Sequence, residues 1–179
     1  MKAYHIDRNN SLFEGQIIEL NKFEDVDSFI LRKMFPEGIS YHGCHYLDES
    51  AQNIENNSPS FYILEYELEL IRTAYFPNLI SRYQSFFALE TLDNIKEWSG
   101  ILNEDCTIWE VEFDDNNYIK CDSNLLYPAL NIKDNQITFS ANNSFQYGYA
   151  YWQGLSSKNP RYELLIKPPV KIIKKVCLN

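Results

Sequence analysis

Glu163 heads the apolar run Tyr162-Glu163-Leu164-Leu165-Ile166, which is cut off by Pro168-Pro169 and followed by a second apolar run, Val170 to Ile173. In an extended strand Glu163 shares a face with Leu165, while Tyr162, Leu164 and Ile166 take the other. A carboxylate turned towards apolar surroundings must be paired, protonated or used; the bland alternative is an edge-strand glutamate that meets water. A second concentration of chemistry is Tyr41-His42-Gly43-Cys44-His45-Tyr46-Leu47. Zinc needs three or four convergent ligands, and this spacing matches no standard arrangement, so the imidazoles read as residues of a turn and no metal is expected. A third is Glu65, Glu69 and Arg72 at helical spacing. There Glu65 and Glu69 repel, Glu69 and Arg72 attract, and the face they share is expected to be solvated.

The elements that must hold these groups follow from pattern. Ala3 to Ile6 alternate as a first strand and run into the turn Asp7-Arg8-Asn9-Asn10-Ser11. A short strand is expected over Gln16 to Leu20. A helix over Asp25 to Met34, capped by Asp25 or Asp27, stops before Pro36. Phe35 to Asn57 reads as irregular. Ser58 can cap a helix with Pro59 at its first position; Leu64, Leu68, Ile71 and Tyr75 form its apolar stripe, and Pro77 ends it. Ser81 to Leu89 is β-prone, and Thr91 caps a helix to Trp98. Thr107 to Phe113 alternates cleanly, with Trp109, Val111 and Phe113 on one face. Asp114 to Asn117 turns into a strand over Tyr118 to Cys121. Asn143-Ser144 can cap a helix through Trp152, with Gly154 placed to stop it. The prolines mark a turn or bulge between the last two strands. Without regular βαβ alternation, this order predicts an α+β fold with mainly antiparallel sheets.

Bulk properties narrow the function. A chain of 179 residues fits one domain, 1–179, with a core of its own. Six glycines make a glycine-rich phosphate cradle a poor expectation, and the four cysteines include no CxxC pair, which argues against a disulfide framework. A net charge of −9 opposes a broad electrostatic grip on nucleic acid, although a local strip of Arg8, Arg82, Lys167 and Lys171 leaves a groove open. No run approaches a membrane span and the start carries no signal-peptide core, so the expectation is a soluble, cytoplasmic protein without a membrane partner.

Three segments, "YHIDRN", "SRYQSFFAL" and "RYELLIKPPVKII", together resemble the ADP-ribosyltransferase-like superfamily. Its members pair a His or Arg on the first strand with a Ser/Tyr-containing central strand and a late glutamate before a proline-containing stretch. From end to end the chain also resembles an uncharacterised bacterial family with the layout HxDR…FPxGxSxHG…SRxxSxFA…YWxG…ELLI.

The resemblance implies split, mainly antiparallel sheets with flanking helices, and NAD as co-substrate. It implies Glu163 as the catalytic carboxylate. That side chain would accept a hydrogen bond from the nicotinamide-ribose 2′-hydroxyl and stabilise the oxocarbenium ion, where a preplaced negative charge helps most in the transition state. His5 would contact a ribose and Arg8 the pyrophosphate. Tyr83 would stack on nicotinamide, Ser85 would buttress the pocket, and Arg82 is an alternative anion contact. Tyr151 and Trp152 read as a lid or as core. Arg161 stands where arginine-specific toxins carry a second acid, and the serine-threonine-serine tripeptide is absent. Both His5 and Arg8 stand where one such residue is usual.

The activity implied is that of a glycosyltransferase moving ADP-ribose to a protein or nucleic-acid acceptor. A bacterial toxin or defence role would fit it and would bring an inhibitory antitoxin as partner. An NAD glycohydrolase on the same scaffold and a non-catalytic binding module are the alternatives.

Overall fold

The computed structural model describes residues 1–22, 29–48, 59–98, 106–133 and 136–177. The expected caps Asp25, Asp27 and Ser58 lie outside them. The fold is α+β with mainly antiparallel sheets that curl into a half-barrel, backed by helices.

The first sheet joins β1 (Lys2–Asp7), β2 (Ile17–Ile18), β4 (Thr107–Glu112) and β9 (Val170–Val176) in the order β1-β4-β9-β2. The second joins β3 (Phe86–Ala88), β5 (Tyr118–Asp122) and β8 (Tyr162–Ile166) in the order β3-β8-β5. Every pairing is antiparallel. The Pro168-Pro169 break sends the chain from β8 in one sheet to β9 in the other, as the missing ladder donors require. A hairpin of β6 (Leu130–Lys133) and β7 (Gln136–Phe139), unforeseen from pattern, stands apart.

The sheets meet where Tyr4 and Leu89 exchange two backbone hydrogen bonds, of 2.8 and 2.7 Å. Ala3, Trp109, Val111, Phe113, Val170 and Ile172 of the first sheet close over Phe86, Ala88, Leu164 and Ile166 of the second, making a dry apolar layer. Trp109, Val111 and Phe113 share that face, as their alternation predicts.

The outer face of the second sheet is covered by α3 (Pro59–Tyr75) and α5 (Ala141–Trp152). Leu64, Leu68 and Ile71 of α3 pack with Tyr151 and Trp152 of α5 over Cys121 and Leu165. Gly148 makes this approach feasible, since a Cβ there would stand 2.8 Å from the Ile71 Cδ1 atom. The cap of α5 is Ser140 rather than Asn143 or Ser144, and Gly154 at φ 75° follows its end. Thr91 caps α4 (Leu92–Glu97) through a capping box with Asn94.

Two shorter elements matter for the site. α1 is Phe29–Met34 and α2 is Tyr41–Gly43, the latter continued by a π-helical turn over Cys44–Asp48 within the stretch that pattern leaves irregular. Ser40 caps α2 through its side chain. Ser81 to Leu89 is not one strand. The Ser81 hydroxyl accepts from the Tyr83 amide and starts a 3₁₀ turn over Arg82–Gln84 before β3 begins.

Candidate functional site

β1, β3 and β8 run side by side: Tyr4 bridges Leu89, and Ala88 pairs with Leu164, the neighbour of Glu163. The three segments singled out in the sequence therefore meet. They do not present their side chains on one face. Glu163 and Leu165 point to the helix-covered side, whereas the His5 ring lies 4.3 Å from that of Phe86, whose side chain belongs to the inter-sheet layer.

On the helix side Arg82 is the hub. Its guanidinium grips Glu65 as a fork, with Nε donating to Oε2 at 2.9 Å and Nη2 to Oε1 at 2.8 Å. Nη1 donates to Glu163 Oε1 at 2.8 Å and to the Tyr151 hydroxyl at 2.6 Å, and that hydroxyl donates to the same Glu163 oxygen at 2.8 Å. Every hydrogen bond that Glu163 makes through its carboxylate among the described residues thus falls on Oε1. The cation is sandwiched by the rings of Phe87 at 4.9 Å and Tyr151 at 5.5 Å. Only 7% of Arg82 and 6% each of Glu65 and Glu163 remain exposed.

Burial works to lower the Arg82 pKa, but the carboxylates of Glu65 and Glu163 outweigh it and hold it well above the usual value. The guanidinium is a fixed cation. Burial likewise works to raise Glu65, yet Arg82 and then His42 keep its carboxyl below the ordinary glutamate value. Burial, reinforced by Glu163, pushes the Cys121 thiol up to about 12, so that residue is a neutral packing group.

The expected solvated face of α3 is therefore corrected. Glu65 and Glu69 are buried because cations meet them: Arg82 takes Glu65, while Arg72 and the Ser81 hydroxyl take Glu69. A signal existed in the sequence, since Glu65 directly follows Leu64 of the apolar stripe and lies one helical turn before Leu68 and Glu69.

The remaining candidates divide as follows. Tyr83, expected to stack on nicotinamide, is 2% exposed and set edge-on to Phe35, with Ile39 in the same cluster, so no ring face is open. Its carbonyl accepts from the Ser40 amide and hydroxyl, and a Cβ at Gly43 would come within 2.3 Å of that carbonyl oxygen. Ser85 donates to the Ser81 carbonyl at 2.8 Å and so holds the turn itself.

His5 Nδ1 donates to the Phe87 carbonyl at 2.7 Å, spanning β1 and β3 beyond their one bridge. Burial pulls its pKa below the ordinary value, against the opposing pull of that carbonyl and Asp7. Arg8 is exposed, on a turn that Asp7 pins by accepting the amides of Asn9 and Leu12. Its charge reaches both His5 and Tyr46. Asn9 ties the same turn to Tyr41 of α2 at 3.2 Å. Arg161 is engaged elsewhere, over Trp98 at 4.3 Å and Tyr127 at 4.8 Å.

His42, next along α2, sits 4.7 Å from the rings of both Tyr46 and Phe87, with Nε2 3.3 Å from Glu65 Oε2. That approach is close enough for an ion contact but off the axis of a regular hydrogen bond. A separate polar cleft of about 290 Å³ lies among Leu79, Gln84, Asn116, Asn117 and Lys167, and it does not include the network around Glu163. No group of metal-ligating side chains is found among the described residues, and none of their helices is long and apolar enough to cross a membrane.

Residues 3–177 match the model of a family described as "Protein of unknown function (DUF2441)". The chain belongs to that family. No curated protein matches it. The match spans all three segments of the site, so the Arg82 network lies wholly within the family's domain.

Proposed function

We propose that this DUF2441 chain has an ADP-ribosyltransferase-like fold and is an NAD-dependent glycosyltransferase that moves ADP-ribose to a macromolecular acceptor. The observation that carries the reading is the tethering of Glu163. One carboxylate oxygen is fixed by Arg82 and Tyr151, and the other is unengaged among the described residues, on the strand next to the one that His5 bonds. A carboxylate held this way costs little reorganisation when positive charge develops on a sugar beside it. In this reading Oε2 of Glu163 takes the ribose hydroxyl and Arg8 supplies an exposed fork of donors for phosphate, while His5, on the other face, ties β1 to β3 and does not touch the ribose. Arg82 is then a positioning group rather than an anion contact, because four of its five N–H donors are engaged by Glu65, Tyr151 and Glu163 and it is buried. NAD supplies the activated glycosidic bond.

One observation favours a second reading, a non-catalytic binding module: Glu163 is 6% exposed, so a ligand must displace neighbouring side chains to reach it.

Saturating NAD should raise the melting temperature by mass action, and mass spectrometry of treated extracts should find ADP-ribose adducts on protein or nucleic acid. Free ADP-ribose alone would identify a glycohydrolase. No thermal shift at millimolar NAD would favour the binding module.

A further inference from the structure

The imidazole pair of α2 and its π-helical turn has no part in the mechanism above, and one of its members touches the network. His42 is half-buried, its ring tilted against those of Tyr46 and Phe87, and its Nε2 faces the buried carboxylate of Glu65. Its Nδ1 makes no hydrogen bond among the described residues. A chain of contacts runs from His42 through Glu65 and Arg82 to Glu163, with links of 3.3, 2.8 and 2.8 Å. The Glu65 carboxylate, 3.3 Å from Nε2, faces the imidazolium once a proton arrives on the other nitrogen.

We infer that His42 is the general base that takes the proton from the acceptor hydroxyl. The inference rests on the ADP-ribosyl transfer reading. When the bond between C1′ and the nicotinamide nitrogen breaks, its electron pair leaves with nicotinamide. A lone pair on the hydroxyl oxygen, of a macromolecule or of water, forms the new bond to C1′. The hydroxyl proton passes to Nδ1 of His42, and the Glu65 carboxylate meets the imidazolium through Nε2. Glu65 is thereby a positioning residue for both ends of the site, since the same carboxylate anchors Arg82.

The test compares wild type with His42→Gln, following nicotinamide release and the fate of ADP-ribose, without and with azide. Azide attacks C1′ as an anion and needs no base. The variant should bind NAD with an unchanged thermal shift and lose turnover by about 10²–10⁴-fold. Azide should restore that turnover as glycosyl azide while changing wild type little. Adducts or free ADP-ribose distinguish a macromolecular hydroxyl from water.

An active wild type with an equally active His42→Gln, or a dead variant that azide does not rescue, overturns the role of His42 and leaves the transferase reading standing. A wild type that releases no nicotinamide overturns both. Should the variant fail to fold, nitrogen-15 spectra of wild type decide: hydrogen on Nε2 supports the assignment, and hydrogen on Nδ1 overturns it.

Discussion

The two faces of β8 are built on opposite principles. Leu164 and Ile166 enter the layer between the sheets, where apolar side chains need only shape and volume. Glu163 and Leu165 enter the layer under α3 and α5, where one arginine, two glutamates and a tyrosine must all be satisfied together. A dry layer loses stability in proportion to the atoms removed. A charged layer fails when one partner goes, because the others stay buried without it. The contrast identifies the helix-covered face as the one where the fold carries charges that packing alone does not require.

Arg82→Met should separate the faces most sharply. It strands Glu65 and Glu163, and chemical denaturation should show a loss of about 3–5 kcal/mol. Leu164→Ala should cost about 2–5 kcal/mol by leaving a cavity, with no change in how stability depends on pH. If Arg82→Met costs less than 1 kcal/mol, the two faces do not differ as described.

Acid titration of stability sharpens the comparison, because each face has its own window. His5 belongs to the inter-sheet side, and its folded pKa lies below 6.5. The unfolded chain therefore binds its proton first, and stability should start to fall as pH drops below that value. Glu65 belongs to the charged face, and its folded pKa lies below 4.5. Its contribution is present above 4.5 and is lost as pH falls through the lower folded value. His5→Asn should remove the first phase only, and Glu65→Gln should blunt the second. A single phase untouched by either substitution would contradict these assignments. The smallest effect expected is Ser85→Ala, about 1 kcal/mol for one buried hydrogen bond, read from the denaturation midpoint.

Period and punctuation made the frame legible in the sequence. The alternation of Trp109, Val111 and Phe113, the Thr91 cap, the Gly154 stop and the Pro168-Pro169 break each act through neighbours a few residues away. Glu163 was legible as a problem, a carboxylate on a leucine face, but its solution was not. Arg82 and Tyr151 lie 81 and 12 residues away, and only the fold brings them to it. Tyr83 misled because a tyrosine in a β-prone run looks alike whether it lines a pocket or fills a core. The Ser81 cap that turns the chain there is a side-chain hydrogen bond, which periodicity does not register. His42 sat in a stretch with no apolar period at all.

The most direct measurement is nicotinamide release from NAD by wild type and by Glu163→Gln, both first shown to be folded. The account predicts release by wild type and a fall of about 10²–10³-fold in the variant, the scale for losing one preorganised charge-stabilising group. Equal release by the two proteins would contradict it.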